Sequence, residues 1–158
     1  MNRQIHERGT TKMPKHYIED DWRRPVQSME VGDKITTKSR TITRTEIELL
    51  ALLGGDYAPQ FLSERAAKEN GWERQLVPGV HCLNVAYGLL IQVGFLKDVI
   101  AYMETSNMKF LGPVYWGDSI RVEAELTSKK ETRKGWLCEY NWTIFNQKQV
   151  AVGEGHNL

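Results

Sequence analysis

VPGVHCLNVAYGLLIQVGFL (residues 77–96) decides how the rest of this 158-residue chain is read. The stretch is long enough to cross a bilayer. It also carries His81, Asn84, Gln92 and three glycines, which a lone span would have to bury in hydrocarbon. A helix that is apolar nearly all round, with a few polar groups, marks the centre of a globular core. Pro78 suits its first helical position, where the missing N–H would have no partner anyway.

On the C-terminal side the hydrophobic period changes to two. SIRVEAEL (residues 119–126) places Ile120, Val122, Ala124 and Leu126 on one face. WLCEYNWTIF (residues 136–145) does the same with Trp136, Cys138, Tyr140, Trp142 and Ile144. KKETRKG (residues 129–135) reads as a charged hairpin loop between them, and NQKQ (residues 146–149) leads into a last strand, VAVGEGHNL. Adjacent strands joined by short polar turns make an antiparallel meander. One long apolar helix beside such strands implies an α+β domain, an antiparallel sheet wrapped around a long central helix.

On the N-terminal side, residues 31–43 read as strand-forming through Ile35, Thr37 and Ile42. RTEIELLALLGG (residues 44–55) has Ile47, Leu49, Leu50 and Leu53 at helical spacing, Thr45 as its N-cap and glycines to stop it. SERAAKENG (residues 63–71) repeats that grammar, with Ser63 as cap and Gly71 as stop. Residues 1–28 show no sustained period and read as an N-terminal extension, pinned by Tyr17 and Trp22. There is no internal repeat.

Composition narrows the function classes. At 41% hydrophobic, 26% charged and a formal charge of +1, nothing requires nucleic acid or an anionic membrane as partner. Cys82 and Cys138 lack CxxC spacing, so no metal site or redox motif is indicated, and both sit in apolar patterns as small hydrophobes. The first 25 residues are charged throughout with no apolar core of a secretion signal, so a cytoplasmic location is the expectation.

Five blocks in order carry a family resemblance: VGDKI, TRTEIELLALLGGDYAP, ERQLVPGVHCLNVAYGLL, KFLGPVYWGDSIRVEAEL and VAVGEGHNL. From residue 29 to residue 158 the chain resembles the MaoC-like dehydratases, single-domain hotdog-fold proteins that act on acyl-CoA thioesters. The second block is similar to the helix leading into the family's GD-x-N-P-x-H signature, and the fourth to its F-x-x-P-V-x-x-G-D strand pair. The resemblance implies an enoyl-CoA hydratase or 3-hydroxyacyl-CoA dehydratase, with no cofactor beyond the CoA carried by the substrate. It further implies a homodimer or higher homo-oligomer, with sites at the interface. An unpaired sheet edge, a liability unless covered, points the same way.

The signature is altered. Asp56 falls on the signature aspartate and Pro59 on its proline, while Ala58 takes the asparagine position and Phe61 the catalytic histidine position. At the central helix the family's His-Gly is Pro78-Gly79. PGV also echoes the hydroxyacyl-carrier-protein dehydratases, whose catalytic carboxylate would fall on Asn84.

Hydration of a 2-enoyl thioester needs a base for water, an acid for the α-carbon and donors for the charge on the thioester oxygen. Gly79 is the candidate donor, through a backbone N–H at a helix N-terminus; it reads equally as a packing glycine. Asp56 is the candidate acid/base, or else a turn aspartate bonding nearby N–H groups. His81, three residues before Asn84, is a candidate substitute base, or a histidine satisfied by a backbone carbonyl. Phe61 lines the acyl pocket in this reading. Lys129, Lys130, Arg133 and Lys134 read as CoA-phosphate contacts or as a solvated hairpin. Thioester hydrolysis and non-catalytic acyl-thioester binding stand as alternatives, because a hotdog scaffold supports both.

Overall fold

The computed structural model describes residues 12–18 and 25–158. Strands β5 (Ser119–Thr132) and β6 (Gly135–Asn146) form its longest ladder, antiparallel from Ile120 opposite Asn146 to Thr132 opposite Gly135. Their period-two pattern works as written: Ile120, Val122, Ala124 and Leu126 are buried, and so are Tyr140, Trp142 and Ile144. The expected loop at residues 129–135 is instead strand on both sides of a two-residue turn, Arg133 and Lys134. Thr132 closes it, its hydroxyl donating to the Gly135 carbonyl at 2.6 Å. Gly135 has φ 129°, a backbone shape that suits only glycine. This hairpin reaches past the core, so Trp136 on the inward face is exposed and meets the Lys129 ammonium instead, 5.1 Å from its ring centre.

The sheet runs β1 (His16–Tyr17), β2 (Lys34–Thr36), β5, β6, β7 (Ala151–Asn157), β4 (Thr105–Phe110), and β3 (Arg40–Thr41) pairs separately with β5. Every pairing is antiparallel except β1 with β2. Residues 31–43 thus form two short strands rather than one. Between them Thr37 binds Val122 twice, through its N–H and its hydroxyl, both at 2.9 Å.

Helix α4 (Gly79–Gln92) packs on this sheet with His81, Cys82, Val85, Ala86, Leu89 and Leu90 buried. Pro78 is its N-cap, one position earlier than expected. No helix among the described residues is long and apolar enough to cross a membrane.

Helix α1 (Arg44–Gly54) starts at Thr43, not Thr45. The reason is reciprocal capping: Glu46, three residues on, accepts the Thr43 N–H at 2.7 Å while its own N–H turns toward the Thr43 hydroxyl. Arg40 pairs with the same carboxylate. Thr43→Ala should therefore cost about 1 kcal/mol, seen as a lower urea midpoint with an unchanged m-value. The apolar stripe of α1 is also redrawn. Ile47 and Ala51 are buried, whereas Leu49, Leu52 and Leu53 are 53%, 67% and 78% exposed on one face.

Tyr17 packs against the core through β1, which joins the sheet beside β2. Trp22 and His6 lie outside the described residues.

Candidate active site

The segment GGDYAPQF is a helix-to-helix corner. Gly55, at φ 73°, caps α1 in the left-handed region and donates to the Ala51 carbonyl. Asp56 follows, exposed, its Oδ1 accepting the Ala58 N–H at 3.4 Å. That contact is the local turn bond open to any aspartate in such a corner. Pro59 then opens α2 (Pro59–Leu62), where its missing N–H is free of cost. Phe61 on α2 is half-buried against the core. Its carbonyl accepts the Gln75 amide at 2.7 Å. Gln75 is fully buried, and its Oε1 has no partner. Ser63 caps α3 (Glu64–Glu69), as its sequence position implies, by accepting the Ala66 N–H at 3.3 Å.

Gly79 begins α4 with no side-chain cap from Pro78. A helix leaves its first N–H groups without intrahelical partners, so this end presents donors and the positive pole of the dipole. The glycine also has a packing reason. A Cβ built there would lie 2.5 Å from a ring carbon of Phe110, so the aromatic ring can rest on the helix end only because the side chain is absent. Both sequence readings of Gly79 are therefore compatible with the backbone.

His81 lies in the first turn of α4, 6% exposed, and among the described residues neither ring nitrogen has a hydrogen-bond partner. It is thus not satisfied by a backbone carbonyl. Burial lowers its pKa, opposed by the charge of Glu46 and assisted by that of Arg40. For Glu46, burial works upward, but the Thr43 hydrogen bonds and Arg40 together hold its pKa below the ordinary value. His81 therefore communicates with the first turn of α1, whereas Asp56 follows its last. Asn84, expected on the same face, is exposed while His81 is buried. The structure groups His81 with Glu46 and Arg40, not with Asp56 or Asn84.

This burial has a consequence for pH. Below the unfolded imidazole value of about 6.5, the unfolded chain takes up a proton that folded His81 resists. Stability from this group is complete above that pH and falls on acidification, by at most about 1.4 kcal/mol per pH unit. His81→Leu should flatten the loss between about pH 7.5 and pH 5.5. Urea midpoints of the two proteins across that range measure it.

Beside Gly79 lies a cavity of about 300 Å³, walled by Leu76, Val77, Cys82, Val114, Ile144 and Val152, with Trp72 and Phe110 also on its lining. Of the five sequence candidates only Gly79 lines it. Sequence reading passed over Trp72, Cys82, Phe110 and Val152 as site residues, since nothing in their spacing announces that they converge. Lys129, a candidate phosphate contact, is engaged internally, donating to the Met29 carbonyl at 2.7 Å and the Gln27 carbonyl at 3.2 Å. His16 and His156 have partners the sequence does not reveal, Thr36 at 2.6 Å and Asn141 at 2.9 Å.

Comparison with known proteins places these features in a lineage. The MaoC-like domain profile matches residues 26–141. Protein MaoC of Klebsiella aerogenes is 33% identical over 113 residues, which are 72% of this chain and 33% of that protein. The chain thus spans about a third of that relative's length. The (R)-specific enoyl-CoA hydratase of Aeromonas caviae is 31% identical over 122 residues, 77% of this chain and 87% of the enzyme. The solved (R)-hydratase from A. caviae involved in PHA biosynthesis superposes with a TM-score of 0.71 at 29% identity, covering 83% of this chain and 96% of that one.

Proposed function

The chain belongs to the MaoC-like domain family and has its hotdog fold, and from that premise we propose that it is an enoyl-CoA hydratase or 3-hydroxyacyl-CoA dehydratase with an altered site. The observation that carries the reading is the likeness to the (R)-specific hydratase over most of both chains, together with the retention of Asp56 and Gly79 where α1 ends and α4 begins. In the hydration direction, water adds its oxygen to the β-carbon and a proton goes to the α-carbon. Asp56 takes the proton from water and, as the carboxylic acid so formed, returns it to the α-carbon, while the N-terminus of α4 donates to the thioester oxygen as charge builds there. Phe61 supplies no proton, so the base lacks the imidazole that the family signature provides, and turnover is slow.

The exposed Leu49, Leu52 and Leu53 beside the Asp56 corner favour a homodimer in which a second copy covers this face, because apolar groups grouped in this way mark contact surfaces. A dimer would also take Asp56 out of bulk water. A non-catalytic acyl-thioester-binding role is the second reading, favoured by Phe61 packing against the core and by the turn bond of Asp56.

Loss of enoyl absorbance on mixing the protein with short, branched and long enoyl-CoAs tests the proposal, with free thiol measured in parallel to detect hydrolysis. Absence of hydration across the panel would overturn it. Ligand-induced stabilisation without chemistry would select the binder.

A further inference from the structure

We infer that the cavity beside Gly79 is the acyl site and that it accepts a short, uncharged acyl chain, its length set by Val152 and Phe110. This rests on the reading of the protein as one that handles acyl-CoA. Four observations lead there. The first is position: Gly79, whose N–H is the candidate donor to the thioester oxygen, is itself part of the wall. An acyl chain leaving that carbonyl therefore has this recess directly beside it.

The second is chemistry. No acidic or basic side chain lines the cavity. Burial pushes the Cys82 thiol up to about 12, so it stays neutral. The walls come from the segment before α4, from α4 itself, from the sheet and from the loop after β4, and the side chains on them are mostly aliphatic or aromatic. A charged tail would lose its hydration without gaining a charged partner.

The third is size. At about 300 Å³ the space lies at the lower limit of small-molecule sites, which run to about 1,000 Å³. Its floor is closed by Val114, Ile144 and Val152, core residues of the sheet and its approach that have no room to retreat. A larger cavity of about 560 Å³ does exist, walled by Leu96, Tyr102, Cys138 and Tyr140. It lies past the other end of the 14-residue α4, a length of about 21 Å, so it does not extend the first one.

The fourth is the rim. Phe110 is 53% exposed, and its ring rests on Gly79. It therefore narrows the space around the carbonyl while remaining free to be trimmed without opening the core.

The test uses the full chain and two variants, Val152→Phe at the floor and Phe110→Ala at the rim. Turnover is measured with crotonyl-, hexenoyl- and decenoyl-CoA. Binding of butyryl-, hexanoyl- and decanoyl-CoA, which cannot be hydrated, is measured by calorimetry. The unmodified protein should prefer the short members over the longest by about tenfold or more, the discrimination a few methylenes command in an apolar pocket. Val152→Phe should lower hexenoyl use about tenfold more than crotonyl use. Phe110→Ala should raise decenoyl use and decanoyl affinity about tenfold with no gain for the short chains. Because Phe110 lies at the surface, this variant reports even if Val152→Phe does not fold. A preference for decenoyl, or a length profile that neither variant alters, overturns the inference and leaves the hydratase reading standing. Short-chain-selective binding without turnover overturns the hydratase reading and supports the inference. If no acyl-CoA binds, both fall.

Discussion

Asp56→Asn should reduce hydration of every enoyl-CoA substrate by about 100-fold or more, the usual contribution of a positioned acid or base. The substitution keeps shape and removes charge and basicity. Among the described residues Asp56 makes an exposed turn bond to the Ala58 N–H, which an asparagine oxygen can also make. Unfolding midpoints should therefore stay within about 0.5 kcal/mol of the parent, so lost turnover reads as lost chemistry. Phe61→His supplies the complementary result. Residue 61 stands on a four-residue helix that starts three residues after Asp56, and its ring is only half-buried. An imidazole there should be tolerated and should raise turnover, by about tenfold or more if it resumes the proton transfer. His81→Ala separates the remaining alternative. A large fall in turnover at unchanged melting temperature would make His81 the substitute base, whereas a change confined to stability would leave it structural. Full activity in Asp56→Asn would reduce the aspartate to a turn residue and end the mechanism.

The second large effect concerns stability, at Asn157. This side chain has no solvent exposure, and it holds three aromatic residues together. Its oxygen accepts the Trp142 indole N–H at 3.0 Å, and its amide nitrogen donates to the Tyr140 hydroxyl at 2.8 Å and the Tyr87 hydroxyl at 3.2 Å. The network ties β7 and β6 to α4. Asn157→Leu has similar volume but strands the indole N–H and leaves the phenols short of a donor. Each stranded buried group costs about 1–3 kcal/mol, so a loss of about 3 kcal/mol and a melting temperature lower by about 10 °C are expected. Thermal unfolding of Asn157→Leu measures this directly. A change below about 1 kcal/mol would mean that water replaces the lost bonds.

Gly155 bears on the same network. A Cβ there would lie 2.4 Å from a Trp142 ring carbon, and that ring is held by Asn157 and cannot easily move. The apolar period of VAVGEGHNL hides this dependence, because neither glycine nor asparagine stands out in a strand read by that period alone.

The sequence by itself determined the elements whose signals are local. Alternation in β5 and β6, the apolar run of α4, and the Ser63 cap all depend on residues within a turn or a strand of one another. These emerged with the right type, though β5 runs on to Thr132 through the expected loop and α4 ends at Gln92. The ordered motifs located Asp56, Phe61 and Gly79 relative to the ends of α1 and α4 for the same reason. Tertiary structure decided whatever depends on which surfaces meet. It exposed Leu49 and Leu53, which helical spacing alone would bury, because α1 meets the core only through Ile47 and Ala51. It separated His81 from Asn84 by burial, and set the histidine near Glu46 and Arg40 from another part of the chain. It also brought Trp72, Cys82, Phe110 and Val152 around one cavity. Those four are spread over 80 residues, and no periodicity links them; only the wrapping of the sheet around α4 brings them within reach of one ligand.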